Sequence, residues 1–510
     1  MLWVGGILAS LFFLVHPWYD SSYGDSGLYI ATARSLVAGD GYTHFGVPFR
    51  AHPPGFPLLI APLIGALGTN FYALNLYVSL FGAAAVVLLA IYWRPRLGWM
   101  LAVLTATVVW MNPGYQRLCN QVMSDVPGTT LLLLCLLLER WASRSESGRR
   151  EWVLGLCIGL SVYVRSVTLL LIPAIVAARL LARWNDPGEG GWPRFAMRRI
   201  VVFAAAASFV VLPWSLRNAY TAPPAPVDQT LVYDYSTAMW HRDAADPGSP
   251  RFSAAEIASR FPGNAARISA ILGGRLQTGR HGPWDRAAGV FLIACSLIVC
   301  VRRRAPPEFF VLGALIVFGF YFDLRDRLLL PVYVLAFPAA VEVCRDLGVR
   351  IAGARVTRFA VPAALLLFLA VEFEPKKGWG AIETRHRAYL ATSSAVAPEL
   401  APDARVGAGI GFHYSVYLER PIYSLYFASR RTGTREAAEA IVDKYRLDTL
   451  LFTPLVGAEL AMLPYFRERY GNAQGYGKAQ NVQGSGKAQD VQGSGKAQGL
   501  GAAYLVRVRP

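Results

Sequence analysis

Acidic side chains that follow the first apolar segment are the first candidates for chemistry. The polar segment 18–53 carries three aspartates, Asp20, Asp25 and Asp40, and a helix-like run begins at Leu28. Aspartate is a preferred N-cap at the start of a helix, and a carboxylate held beside a bound hydroxyl can act as a general base. Both roles remain open for Asp25, and they do not exclude each other.

Two further titratable side chains stand where apolar helices begin. His52 precedes Pro53-Pro54, and the fixed φ angles of the prolines hold it at the start of the next helix. It is either a polar residue at the membrane interface or part of a site with the nearby acids. Asp125 opens an apolar run, where a carboxylate is either solvated or faces a functional cavity.

Several arginines stand where apolar runs begin or end. Arg165 separates two apolar halves, 152–164 and 166–182, which we interpret as a hairpin with Arg165 at its tip. The planar guanidinium suits phosphate, although the side chain could instead extend to the interface. Arg217-Asn218 closes another apolar run and Arg327 opens a later one. Acids and arginines that meet on one membrane face suit a phosphate-bearing lipid substrate.

The elements that position these residues are predicted to be membrane-spanning helices. Of the 510 residues, 54% are hydrophobic and 16% charged, against about 25% charged in soluble domains. A bilayer core requires about 20 apolar residues per helix, and we expect about 11–13 spans. The predicted spans are 2–17, 54–68, 70–93, 98–112, 122–141, 152–164, 166–182, 199–216, 286–301, 308–322, 327–344 and 357–372.

Arginine placement predicts how the chain is oriented. The net charge of +17 comes from basic loops between apolar runs, which explains it without nucleic acid as a partner. The basic loops are expected to face the cytoplasm, and the loops 18–53 and 217–285 to face outward. Two alternatives remain for the direction of the first spans. Either the short, proline-rich span 54–68 is re-entrant, or the basic loop 94–96 faces outward. The six cysteines form no metal or disulfide pattern.

The last part of the chain has a different composition. Residues 1–372 are predicted to be the membrane domain, and residues 373–510 a small extracytoplasmic α/β domain. Strands are expected at 404–411, 448–454 and 502–508, and an amphipathic helix at 435–445. Within this domain, residues 477–498 repeat the motif GKAQ with a period of nine residues. Rich in Gly, Gln and Ser, this stretch is predicted to be a flexible insertion.

Four motifs in chain order resemble the GT-C superfamily of polytopic glycosyltransferases. They resemble most the branch of protein O-mannosyltransferases, aminoarabinose transferases and lipopolysaccharide-modifying enzymes. The first motif combines Asp25 to Tyr29 with HPPGFPLL at 52–59. SDVPGTTLLLL at 124–134 and PWSLRN at 213–218 follow, and the last is Arg327 to Pro331. The resemblance covers about residues 1–470 and implies a GT-C-like fold.

The resemblance implies an inverting transfer of sugar from a polyprenyl-phosphate donor to a hydroxyl of a glycolipid, polysaccharide or protein. Asp25 would be the general base and Asp125 a second catalytic carboxylate. The implied substrate-binding residues are Tyr29, His52, Arg165, Arg217, Asn218 and Arg327. Gly24-Asp25-Ser26 stands where protein mannosyltransferases commonly have an Asp-Glu pair, so a protein acceptor and a divalent metal both remain open. The implied location is the plasma (inner) membrane.

Two other classes of protein also have many spanning helices. A transporter or flippase for a lipid-linked sugar is the main alternative. Transporters often carry internal repeats and charges at the middle of the membrane, whereas this sequence shows no clear duplication. An assembly subunit with the same fold and an inactive site is the third interpretation. Dependence of activity on Asp25 separates the enzyme from the inactive subunit.

Overall fold

The structure is a computed structural model, and it describes most of the chain. The described residues are 2–44, 46–145, 147–185, 192–221, 234–243, 246–274, 282–372, 376, 378–409, 411–425, 439, 442–443, 445–452, 464–466, 468–470, 474–476 and 503–508. The predicted repeat 477–498 lies outside these residues, as does most of the helix predicted at 435–445.

Helices make up most of the described chain. Three short 3-10 helices, Ser166–Leu170, Asp326–Leu329 and Ala397–Glu399, interrupt or extend the α-helices. The α-helices are α1 Leu2–Leu14, α2 Asp25–Ala38, α3 Gly55–Leu67, α4 Phe71–Leu97, α5 Trp99–Met111, α6 Pro113–Cys119, α7 Asp125–Ser143, α8 Gly148–Val164, α9 Leu171–Asn185, α10 Trp192–Tyr220, α11 Tyr235–Trp240, α12 Ala254–Ala258, α13 Arg260–Gly273, α14 Pro283–Arg303, α15 Pro306–Gly319, α16 Leu330–Glu372, α17 Trp379–Val396 and α18 Gly411–Leu418.

The helices have the length and composition of a polytopic membrane protein. Within the described residues, 5 segments are long and apolar enough to cross a bilayer, and several shorter apolar helices accompany them. The long ones are Phe71–Leu97, Asp125–Ser143, Met197–Tyr220, Pro283–Arg303 and Asp326–Ala370. The shorter ones include Leu2–Leu14 and Gly55–Leu67. Each predicted span coincides with a helix or with part of one, so the predicted multi-pass helical architecture is confirmed.

The last two predicted spans form one helical hairpin, α16, rather than two helices joined by a basic loop. Gly353 has φ +79°, a value that glycine adopts without strain, and it reverses the chain within the helix. The rings of Phe337 and Phe368, on opposite sides of this turn, lie 6.2 Å apart. The two limbs of α16 are therefore antiparallel, and the arginines predicted to occupy a loop lie on helical backbone.

Small residues allow the closest helix pairs to approach each other. Gly159 of α8 faces α10 so closely that an added Cβ atom would lie 2.6 Å from the Cβ of Val210. Gly155, one turn earlier, contacts the backbone of Phe203 in the same way. Between membrane helices, where both protein and lipid surfaces are apolar, close packing of this kind supplies much of the attraction. Substitution of either glycine would separate α8 from α10.

Two small sheets complete the fold of the described residues. In the first polar segment, β1 (Thr43–His44) and β2 (Val47–Pro48) form an antiparallel hairpin. The C-terminal sheet has the order β4-β3-β5-β7-β6, with β3 parallel to β4 and β5, and β7 antiparallel to β5 and β6. The predicted α/β character of the C-terminal region is confirmed. Its strands are β3 Val406–Ala408, β4 Ile422–Ser424, β5 Thr449–Phe452, β6 Gln474–Tyr476 and β7 Ala503–Arg507.

Candidate active site

The first residue of α2 and the 3-10 turn before α16 meet at one end of the helical domain. Arg327 donates a hydrogen bond of 2.5 Å from Nη2 to Oδ2 of Asp25. Gly24, and not Asp25, occupies the N-cap position of α2. The interpretation of Asp25 as a helix cap is therefore wrong, because the aspartate is the first helical residue and its carboxylate is directed to Arg327.

A second acid–arginine pair lies beside the first. Nη2 of Arg165 is 2.6 Å from Oδ1 of Asp125, and Nη1 of Arg327 is 3.6 Å from Oδ2 of the same carboxylate. The four side chains thus alternate in charge from Asp25 through Arg327 and Asp125 to Arg165. We call this set the charged row. All four side chains are largely buried, so their charges interact through a medium that screens less than water does.

Backbone geometry places Arg165 at the end of the charged row. The residue is extended, with φ −149° and ψ 114°, and it separates α8 from the 3-10 helix that precedes α9. The predicted hairpin with Arg165 at its tip is confirmed. A Cβ atom on Gly128 of α7 would lie 2.5 Å from the Cβ of Arg165. The absence of a side chain at Gly128 therefore provides the space that the Arg165 stem occupies.

Hydroxyl groups extend the charged row toward α2. Nη1 of Arg165 donates to Oγ of Ser124 at 3.1 Å, and the Tyr29 hydroxyl lies 2.9 Å from the same oxygen. Tyr29, predicted as a substrate-binding residue, therefore reaches the charged row through Ser124. Ser124 was not predicted as a site residue, although its position immediately before Asp125 at the start of α7 was an available signal.

His52 lies on the other side of Asp25. Its Nε2 is 3.7 Å from Oδ2 of Asp25, and its Nδ1 is 2.7 Å from the Tyr235 hydroxyl. Gly55 fixes the approach of this segment, because a Cβ atom there would lie 2.5 Å from the backbone of Tyr163. Tyr235 was not predicted as a site residue. It belongs to the long polar segment 217–285, where nothing in the sequence pointed to one particular side chain.

Electrostatics give Asp25 and His52 defined charge states near neutral pH. Burial alone would raise the pKa of Asp25, but Arg327, with a smaller contribution from His52, holds it well below its usual value. Burial lowers the pKa of His52 to about 4, against a smaller opposing effect of Asp25. Near pH 7 the carboxylate is therefore charged and the imidazole neutral. If the Tyr235 hydroxyl donates to Nδ1, the ring proton is on Nε2 and faces Asp25.

Arg217 and Asn218 lie at the edge of this site. Arg217 donates to the backbone oxygens of Phe49 and Tyr42 at 2.7 Å and 2.8 Å, and its guanidinium lies 5.1 Å from the Trp214 ring centroid. Its Nη1 also donates to the Asn218 side chain at 3.0 Å. These contacts hold the backbone that leads to His52. A substrate-binding role for Arg217 and Asn218 remains a prediction.

The C-terminal region packs directly on α2. The ring of Phe412 in α18 lies against Gly24, and a Cβ atom on Gly27 would lie 2.6 Å from the Phe412 carbonyl oxygen. The Tyr19 hydroxyl bridges Nδ1 of His413, at 2.9 Å, and the Ser26 hydroxyl, at 3.0 Å. Residues on both sides of Asp25 are therefore held by α18, which the sequence could not indicate.

Further polar contacts stabilise the packing of the C-terminal region on α2. Arg34 of α2 donates to the carbonyl oxygen of Val416 at 2.9 Å, to the Glu419 carboxylate at 2.8 Å and to the Thr69 hydroxyl at 2.6 Å. None of these three partners belongs to α2. Arg34 thus joins α2 to the C-terminal region and to the turn before α4, and it limits how far α2 can move.

Asp20, another acid of the first polar segment, belongs to a separate buried cluster. Gln121 donates to its Oδ2 at 2.5 Å, and Arg117 and Arg385 lie 3.3 Å and 3.5 Å from its carboxylate oxygens. Burial would raise the pKa of Asp20, but the two arginines hold it below its usual value. The carboxylate joins the first polar segment, α6 and α17, which is a structural role.

Metal binding depends on how the His, Cys, Asp and Glu side chains of the described residues are grouped. Among them, no group of three or more His, Cys, Asp or Glu side chains is arranged to hold a metal ion. Asp25 and Asp125, the acids closest to the candidate chemistry, have arginine partners instead. A divalent metal, left open by the sequence, remains untested.

Comparisons with known proteins agree on the fold. No family model matches the chain, and no curated protein matches it in sequence. Among solved structures, it is similar to ArnT from Cupriavidus metallidurans bound to undecaprenyl phosphate, with a TM-score of 0.61 and 13% identity. That match covers 100% of this chain and 97% of ArnT.

A second similar structure is the archaeal oligosaccharyltransferase AglB from Archaeoglobus fulgidus, in complex with an inhibitory peptide and a dolichol-phosphate. The TM-score is 0.55 and the identity 13%, over 94% of this chain and 74% of AglB. Both neighbours are GT-C superfamily glycosyltransferases. The chain therefore shares the overall fold of these two proteins, and the GT-C-like fold that its motifs imply is confirmed.

Proposed function

We propose that this protein transfers a sugar from a polyprenyl-phosphate donor to a hydroxyl acceptor at the outer face of the membrane. The observation that carries the proposal is the charged row, which places two carboxylates and two guanidinium groups in alternation beside the first polar segment. The GT-C fold supports it, since ArnT and AglB were solved with undecaprenyl phosphate and a dolichol-phosphate.

The reaction requires one bond to form and one to break at the anomeric carbon of the donor. The acceptor oxygen attacks this carbon from the face opposite the phosphate, so its configuration inverts. The bond from the anomeric carbon to the phosphate oxygen breaks, and polyprenyl phosphate leaves with the bonding electrons. Asp25 takes the acceptor proton, and the arginines stabilise the charge that grows on the phosphate.

Arg327 connects removal of the acceptor proton by Asp25 with stabilisation of the leaving phosphate. In the structure its guanidinium holds Asp25, which lowers the pKa of the carboxylate and makes it a weak base. Its Nε is buried and has no hydrogen-bond partner among the described residues. A donor phosphate near the charged row would attract the guanidinium and weaken its pairing with Asp25. The pKa of Asp25 would then rise, so the base would become stronger when the donor is bound.

The remaining site residues have roles that follow from their contacts. Arg165, held by Asp125 and Ser124, supplies a second fixed guanidinium for the donor phosphate. His52 is neutral near pH 7, and when the Tyr235 hydroxyl donates to Nδ1 its Nε2 offers a hydrogen bond toward Asp25 or a sugar hydroxyl. Tyr29 and Ser124 add hydroxyl groups that suit a carbohydrate. Glycolipid, polysaccharide and protein acceptors all supply the hydroxyl group that this mechanism needs.

The proposed location follows from the distribution of arginines. Basic loops are kept on the cytoplasmic side of membranes, so the charged row and the C-terminal region belong to the extracytoplasmic side of the plasma (inner) membrane. There the donor is presented from the bilayer and the acceptor from the aqueous side. The contact of α18 with α2 makes the C-terminal region one wall of the site.

Transfer in reconstituted vesicles tests the proposal. Wild type, Asp25→Asn and the control Asp40→Asn are supplied with a broad set of labelled polyprenyl-phosphate sugars and a membrane glycan extract. Asp40 is an exposed acid of the same polar segment and lies outside the charged row. We expect Asp25→Asn to lower release of polyprenyl phosphate about 10²- to 10⁴-fold, and Asp40→Asn to leave it unchanged.

Two results would contradict the proposal. Equal release by Asp25→Asn and wild type would remove Asp25 from the mechanism and make Asp125 the next candidate base. Movement of intact donor across the bilayer by wild type, without release of polyprenyl phosphate, would favour the transporter or flippase alternative. Thermal unfolding of each variant, measured in parallel, separates loss of chemistry from loss of folding.

A further inference from the structure

A cavity lies at the end of the helical domain opposite the charged row. Helix α16 begins at Leu330, beside the charged row, and Arg345 lies fifteen residues further along, a rise of about 22 Å. There the end of α4, the start of α5 and the turn of α16 enclose a cavity of about 380 Å³. Its lining includes Trp99, Arg345 and Arg358.

The cavity combines positive charge with apolar surface. Arg345 and Arg358 supply the charge, and Trp99, Met100 and Val349 supply apolar walls. Trp99 and Met100 are about half exposed, at 53% and 52%. Large apolar residues exposed on a membrane protein face lipid, and tryptophan is enriched at the level of the lipid headgroups. The cavity therefore opens where headgroups and acyl chains meet.

The arginines of the cavity differ in how they are held. Arg345 donates to the backbone oxygen of Arg96 and, at 2.6 Å, to Asp346. Asp346 also accepts from Arg302 at 2.6 Å, so this acid is shared between two cations. Arg358 is exposed and has no hydrogen-bond or ion-pair partner among the residues that the structure describes. The arginines of the cavity therefore carry more positive charge than the neighbouring Asp346 carboxylate can neutralise.

More positive charge lies at the rim. The guanidinium of Arg94 lies 5.6 Å from the centre of the Trp99 ring, close enough for a cation–π contact. Around the turn of α16, Ile351, Val356 and Phe359 are 77%, 55% and 70% exposed. An apolar surface of this kind next to paired arginines matches an amphiphile with a negatively charged head.

We propose that this cavity binds the headgroup of an anionic phospholipid from the surrounding bilayer. Arg358 and Arg345 contact the phosphate, and the acyl chains lie on the exposed apolar residues of the α16 turn. Basic pockets between membrane helices bind anionic headgroups on the cytoplasmic side, and the arginine distribution gives this end that orientation. The bound lipid would tie the start of α5 to the α16 turn, and the site does not depend on the proposed transferase activity.

Lipid-dependent thermal unfolding of the full-length protein in a mild detergent tests the proposal. The probes are short-chain phosphatidylglycerol and phosphatidylcholine, which share acyl chains and differ in headgroup charge, and inorganic phosphate. The test variant is Arg358→Ala. The matched control is Arg355→Ala, which removes an exposed arginine of the same turn that does not line the cavity.

We expect phosphatidylglycerol to raise the unfolding temperature of wild type and Arg355→Ala, with phosphatidylcholine having little effect. For Arg358→Ala, the phosphatidylglycerol concentration that gives half of the shift should rise about tenfold, as expected for the loss of one charge-assisted phosphate contact. The proposal would be overturned if phosphatidylglycerol shifted the unfolding temperature equally in Arg358→Ala and Arg355→Ala. It would also be overturned if both lipids shifted the unfolding temperature of wild type equally. A shift of the same size with inorganic phosphate would assign the cavity to a soluble anion instead of a lipid.

Discussion

Arg327 donates a 2.5 Å hydrogen bond to the carboxylate of Asp25 across 302 positions of the chain. The same guanidinium lies 3.6 Å from Asp125, whose other close partner is Arg165. One cation therefore serves both acids of the candidate site. A ligand that draws Arg327 toward itself would change the electrostatic environment of both carboxylates at once, which is the basis of the base activation proposed above.

Removal of Arg327 is expected to destabilise the protein, because Asp25 would be left buried and without its main cation. Loss of one partner of a buried ion pair costs about 3–5 kcal/mol. We expect a loss of this size for Arg327→Gln in chemical unfolding, and partial recovery in the double variant Asp25→Asn/Arg327→Gln. Sugar transfer should be lost in both variants.

The matched control for that experiment is Arg325→Gln. Arg325 lies in the same turn and pairs with Asp323 at 2.9 Å, and both side chains are substantially exposed. Exposed pairs contribute about 0–1 kcal/mol, so this variant should unfold nearly as wild type does. Equal destabilisation by Arg325→Gln and Arg327→Gln would show that the contact of Arg327 with Asp25 contributes no more to the free energy of unfolding than an exposed ion pair does.

His52 should make stability depend on pH. Its pKa is lowered to about 4 by burial, against about 6.5 in an unfolded chain. Between these values the unfolded state binds the proton and the folded state does not, so stability falls as pH decreases from 6.5 to 4. Its full contribution to this pH dependence is at most about 3 kcal/mol.

The comparison that isolates this effect is wild type against His52→Gln. Other buried histidines titrate in both proteins and cancel in the difference. We expect the difference in unfolding free energy to change with pH between 4 and 6.5 and to be constant from pH 7 to 8. A difference that is independent of pH over the whole range would show that His52 is protonated equally in both states.

The contact between α2 and α18 gives a prediction about glycine. In Gly27→Ala the new methyl group would lie 2.6 Å from the backbone oxygen of Phe412, which cannot rotate away. Overpacking of this kind costs about 1–3 kcal/mol, and displacement of α2 should also lower transfer because Asp25 is its first residue. Thermal unfolding and the vesicle assay measure the two effects.

Gly65→Ala is the control for that substitution. It also places a methyl group on a helical glycine, but the nearest side-chain atom there belongs to Val37 at 3.5 Å, an ordinary contact. We expect wild-type unfolding and transfer for this variant. If both glycine variants behave alike, the packing of Phe412 on α2 does not position Asp25.

The helices of this protein could be predicted from sequence because each needs only its own apolar residues to be recognised. The spans are visible as apolar runs, and the basic residues that flank both apolar halves predict a hairpin with Arg165 at its tip. The acids, His52 and the arginines were candidates by type and by position at helix ends. Both limbs of α16 are predicted as spans, but the tight turn at Gly353 is not, because the segment 345–358, with its glycines and arginines, is typical of a loop.

Sequence alone determined the class of fold and supplied a set of charged candidate residues at helix ends. Only the tertiary structure decided that Arg327 belongs to Asp25, that Ser124 joins Tyr29 to Arg165, and that Phe412 packs on α2. Hydrophobic periodicity is local, so it is visible in one stretch of chain. Charge pairing depends on which helix ends lie close together in space, and the sequence of a single segment does not indicate its partners.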